Sequence, residues 1–174
     1  MKKSFRNIAL SALITIGGFS AITYTSCTKD ECKDVVCQNG GTCVSGNCSC
    51  PTGYEGSNCQ SLSTAKFIKT WTAPADRNVS SGVTLNPYSC IIGQGASLNT
   101  LVIGTGFYDN FFNHSINATV SENTITIPVQ SPDGAANASV SGTATYNTST
   151  GQLSWTYTIT DPIAGAKNYS GIWQ

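Results

Sequence analysis

Six cysteines lie between Cys32 and Cys59 in the spacing C-x4-C-x5-C-x4-C-x-C-x8-C. The 28 residues they span include few large hydrophobes, namely Val35, Val36, Val44 and Tyr54. So short and polar a segment cannot bury enough apolar surface to offset its chain entropy. It needs covalent staples. Three disulfides closing loops of about ten residues would each contribute about 3 kcal/mol by restricting the unfolded chain. Six cysteines admit many pairings, and spacing alone does not choose among them. Disulfides place this part of the chain in an oxidising compartment. Structural zinc sites use C-x2-C steps, often with histidine. No such step occurs here, and the one histidine is His114, so no metal is expected.

The residues inside the ladder narrow it further. Gln38-Asn39-Gly40-Gly41-Thr42-Cys43 is followed by Cys48-Ser49-Cys50-Pro51-Thr52-Gly53-Tyr54, with Gly56 and Cys59 completing the run. This pattern resembles the EGF-like domain over the whole of 32–59. The resemblance implies the pairs Cys32–Cys43, Cys37–Cys48 and Cys50–Cys59. Some members of that family bind calcium through acids before the first cysteine. Asp30-Glu31 supplies half of that motif, but Thr28 stands where a further acid belongs, so calcium is not expected.

The N-terminus reads as an address. Lys2, Lys3 and Arg6 precede an apolar run from Ile8 to Ile22, and small and polar residues lead to Cys27. That is a signal-peptide layout over 1–26. The stretch 8–26 is also just long enough for an uncleaved anchor. Tyr24-Thr25-Ser26-Cys27 resembles a bacterial lipobox with Tyr24 in place of the usual leucine. The following Lys29-Asp30-Glu31 resembles the export signal of Bacteroidota surface lipoproteins. These resemblances imply lipid on Cys27, a tether over 27–31, and a body held outside the cytoplasm at an outer membrane or cell surface.

After a short polar linker at 60–65, residues 66–174 show period-2 patterning. Leu153, Trp155, Tyr157 and Ile159 alternate with Ser154, Thr156, Thr158 and Thr160. Similar alternation runs through 138–146 and 124–129, and further strands are expected at 67–72, 88–92, 98–107, 116–120 and 167–173. Pro128 marks an edge or strand end. Turn residues separate the strands closely, which favours antiparallel neighbours. The expected class is all-β: a small disulfide-rich module followed by an antiparallel barrel or sandwich. Phe67-Ile68-Lys69-Thr70-Trp71 resembles the Phe-x-x-x-Trp opening of lipocalin-like barrels, with Lys69 in place of a glycine.

Charge and chemistry bound the function. Net charge is zero and charged residues make up 10% of the chain. Residues 61–174 hold only Lys66, Lys69, Arg77 and Lys167 as cations, too few for a nucleic-acid surface. The acids are scattered, so a catalytic carboxylate pair is not expected. Asp109 and His114 are the one pairing that a hydrolase could use, although a lone loop histidine is ordinarily a surface residue. Phe107, Tyr108, Phe111 and Phe112 form an aromatic cluster that either lines a ligand mouth or caps the core. The expectation is a non-catalytic surface protein without cofactor that engages a protein or glycan partner. A lipocalin-like carrier of a small apolar ligand is the alternative. Cys90 remains outside the ladder, on an alternating segment that favours a buried free thiol.

Overall fold

The computed structural model describes residues 30–174, and Cys32–Gln174 form one compact unit. The leader, the lipobox-like run ending at Cys27 and Lys29 lie outside the described residues. Within the unit, Cys32 is bonded to Cys43, Cys37 to Cys48 and Cys50 to Cys59. The hairpin of β1 (Thr42–Val44) and β2 (Asn47–Ser49) turns through Ser45 and Gly46, both at positive φ. A two-residue turn of that hand matches the strand twist. A second small pairing joins β3 (Tyr54–Glu55) to β4 (Ser61–Leu62). The expected linker at 60–65 is thus partly strand, folded back on the disulfide module.

Nine strands then form one antiparallel sheet: β5 (Lys69–Ala73), β6 (Arg77–Asn78), β7 (Tyr88–Gln94), β8 (Thr100–Ile103), β9 (Ile116–Ser121), β10 (Thr124–Gln130), β11 (Ser139–Asn147), β12 (Gln152–Asp161) and β13 (Gly165–Trp173). Their order is β5-β7-β8-β9-β10-β11-β12-β13-β6. The path is an up-and-down meander, except that short β6 crosses to pair with β13. Thr72 and Gln174 exchange backbone hydrogen bonds at 2.9 and 3.0 Å, which brings the first strand to the end of β13. A single curled sheet, not two stacked ones, decides between the two expected architectures in favour of a barrel-like form.

The alternation in the sequence builds the core. Inward residues of each strand are buried, among them Ile92, Leu101, Ile116, Ile125, Val140, Leu153 and Tyr157, while the hydroxyl residues between them face out. Trp71, Trp155 and Trp173 are fully buried inside. Trp71 donates its indole N–H to the Phe67 carbonyl at 2.8 Å, and Lys69 Nζ lies 3.8 Å from the centre of its ring. Pro128 is not at an edge. It sits inside β10, where the β10–β11 register shifts between Ile127 and Gln130, so its missing N–H falls at a bulge.

The two ends of the sheet differ. At one end the connections are tight: 95–99, 122–123 and 148–151. The disulfide module packs here. Gly53 lies at φ +94°, and a Cβ on it would come within 2.6 Å of Leu98. Its carbonyl accepts from the Ser63 N–H at 3.0 Å. Thr64 Oγ donates to Gln94 Oε1 at 2.7 Å, and Lys66 contacts both Glu55 and Asn123. The opposite end carries the long connections 79–87, 104–115 and 131–138, together with the hairpin turn 162–164.

Candidate recognition surface

The long connections meet at the end of the sheet away from the disulfides. One surface depression there is lined by Phe111, Asn113, Asp133, Asn137, Asp161 and Ile163, with neighbouring alanines and Pro162. Asp133 organises it. Its carboxylate accepts the Asn113 and His114 backbone N–H groups at 3.0 Å and lies 2.9 Å from His114 Nδ1. These bonds, led by the Asn113 N–H, hold the Asp133 carboxyl below its usual range. Asn137 Nδ2 in turn donates to the Asp133 carbonyl. Loop 111–114 is therefore fastened to loop 131–138.

The hairpin between β12 and β13 forms the other wall. Asp161 Oδ1 accepts the N–H groups of Ile163 and Ala164 at 2.8 and 2.7 Å. Those bonds, the Ala164 N–H first, hold the Asp161 carboxyl below its usual range. They present Ile163 at the tip, 98% exposed. Phe111 is 44% exposed across the depression. The arrangement offers one aromatic face, one aliphatic tip, two carboxylates that stay ionised at neutral pH, and two side-chain amides.

The aromatic cluster read from the sequence divides. Phe107 and Phe112 are buried in the core, Tyr108 is half-buried, and Phe111 alone is exposed. Tyr108, Asp109 and Asn110 all lie at positive φ, a left-handed turn without glycine. Such a conformation costs about 1–2 kcal/mol per residue. It is held because Tyr108 OH meets Tyr169 OH at 2.5 Å and its ring packs on Tyr157, Tyr169 and Phe111. Burial, then the contact with Tyr169, raises the Tyr108 phenol above its ordinary range. The turn puts Phe107 inside and Phe111 outside.

His114 pairs with Asp133, and its side chain is 73% exposed. The acid that meets the His114 ring is therefore Asp133 in loop 131–138, in place of the expected Asp109. Cys90 is a free, buried thiol. Burial pushes it up to about 12, offset in part by a backbone hydrogen bond with Gly104.

Sequence reasoning missed Asp76, which is fully buried between β5 and β6. Its carboxylate accepts from Tyr88 OH at 2.5 Å, Tyr157 OH at 2.8 Å and the Trp173 indole N–H at 3.1 Å. A Cβ at Gly171 would sit 1.7 Å from Asp76 Oδ1, so that glycine makes room for the carboxylate. The three donors supply what a buried anion requires. They tie the β5–β6 connection to β7, β12 and β13. Among the described residues, no cluster of three or more metal-ligating side chains occurs.

The interior itself is occupied by Trp71, Trp155, Trp173, Phe67, Phe107 and Phe112. Among the described residues, one depression combines outward Thr126, Thr143, Thr156 and Thr158 with inward Ile127, Tyr157 and Tyr169, and others are lined by loops and the module contact. No known protein-family model matches the chain, and no curated protein matches it.

Proposed function

We propose that this is a non-catalytic surface protein. Its EGF-like module is a stapled spacer, and the loop end of its β-domain recognises a protein or glycan partner. In this reading Cys27 carries lipid, the body lies outside the cytoplasm at an outer membrane or cell surface, and residues 27–31 form the tether. The observation that carries the proposal is the polarity of the unit. The disulfide module packs at the end with tight turns, and the long loops project from the other end with Phe111 and Ile163 exposed. Long loops on a rigid scaffold are where binding residues concentrate. An aromatic face beside carboxylates and amides suits sugar hydroxyls or a peptide backbone equally well.

A carrier reading requires an interior cavity. Three tryptophans buried inside the sheet support surface recognition over it. The test is a screen of the purified chain against glycan arrays and extracellular proteins, with Phe111→Ser and Ile163→Ser measured in parallel. Binding should be lost in the double variant while its melting temperature stays near that of the parent. Full binding by a folded double variant, or no binder in either screen, would overturn the reading.

A further inference from the structure

Lys66 brings an amine, a carboxamide and a carboxylate into one contact. Its Nζ lies 2.6 Å from Glu55 Oε2 and donates to Asn123 Oδ1 at 2.8 Å. The three residues come from separate parts of the chain, and each backbone is pinned. Glu55 is paired with Ser61 in the β3–β4 ladder. Lys66 lies in the 3-10 turn Ala65–Phe67, whose last side chain is fully buried. The Asn123 carbonyl accepts the Tyr146 N–H at 2.8 Å. The Lys66 side chain is 16% exposed and that of Glu55 34%, and the Phe67 ring centre is 5.4 Å from Nζ. An amine held on the oxygen of a carboxamide, with a carboxylate on its other side, has a nucleophile, an electrophile and a proton carrier already assembled.

We propose that Lys66 and Asn123 become joined by an intramolecular isopeptide bond, with Glu55 carrying the protons. Glu55 takes a proton from the Lys66 ammonium, and the freed amine attacks Asn123 Cγ. As the Nζ–Cγ bond forms and the Cγ–Nδ2 bond breaks, Glu55 delivers that proton to Nδ2. It then removes one of the two protons on the new amide nitrogen, which keeps the other. Ammonia departs and takes the removed proton into water as ammonium, so Glu55 ends as a carboxylate. No oxidant, nucleotide or external enzyme is required. The link would bridge the entry to the sheet directly to the β9–β10 turn. Tension arriving from the disulfide module would then bypass β5, β7 and β8.

The test is tryptic mass mapping of the full chain after purification. The expected product is a branched peptide joining residues 66 and 123, lighter than its two linear parts by one ammonia and uncut after Lys66. Glu55→Gln should keep the native circular dichroism and yield linear peptides. Lys66→Arg keeps the positive charge but cannot form the link, and should also give linear peptides from a folded chain. Only linear peptides from the folded parent, after days at neutral pH, would overturn the proposal and leave an ordinary ion pair and hydrogen bond. A Glu55→Gln chain that links as completely as the parent would overturn the role of Glu55.

Discussion

Asp76 is the residue that ties the β5–β6 connection to β7, β12 and β13. Two phenols and one indole N–H converge on a carboxylate that no water reaches, and Gly171 leaves the space it occupies. Asp76→Ala strands these donors. Each buried unsatisfied group costs about 1–3 kcal/mol, so the variant should lose about 3 kcal/mol or more in urea unfolding. A loss under about 1 kcal/mol would mean that the donors find other partners. The phenols also set an alkaline limit. Burial, reinforced for each by Asp76 and for Tyr157 first by Tyr88, raises the Tyr88 and Tyr157 phenols far above their ordinary range. In the unfolded chain both ionise near about pH 10. Above that pH the unfolded state releases protons that the native state keeps, so stability falls as pH rises. Their phenolate absorbance should appear only with unfolding, followed by ultraviolet difference spectra alongside circular dichroism. Asp76 was not legible as a site, because one acid between Ala75 and Arg77 looks like any loop acid. Only the glycine opposite it on β13 could have hinted at a buried partner.

At the scale of elements, the long strands were legible and the short or strained pieces were not. β11, β12 and β13 run nine or ten residues, and inward and outward positions alternate most clearly along β12. Period 2 is the direct imprint of one buried and one solvated face. β6 has two residues and no period to read. The expected strand over 98–107 is only Thr100–Ile103, and a turn follows in which the Phe107 N–H donates to the Gly104 carbonyl before the left-handed residues that start at Tyr108. Nothing in Tyr108-Asp109-Asn110 announces positive φ as glycine would. Likewise, the aromatic run around it told of a cluster but not which rings point out. The strain itself can be measured. Asp109→Gly should stabilise the fold by up to about 1 kcal/mol, since glycine adopts this conformation without a Cβ clash. Destabilisation of the same size would mean that the Asp109 side chain contributes more than its backbone costs.

Across the whole molecule, the disulfide module and the curled sheet belong to one unit. The cysteine ladder foretold a stapled module and the alternation foretold an all-β domain. What the sequence could not express was their junction. Gly53 against Leu98, Thr64 on Gln94, and Lys66 between Glu55 and Asn123 are contacts between residues 11 to 57 positions apart. That junction supports the proposed function, because it commits one end of the sheet to the module and leaves the long loops of the other end uncovered by it. The most direct measurement is hydrogen exchange of the intact protein with and without a partner captured from the glycan or protein screens. The account predicts slowed exchange in 107–114, 131–138 and 161–165 on binding, with the disulfide module unchanged. Protection confined to residues 32–62, or to the strand exteriors, would contradict it.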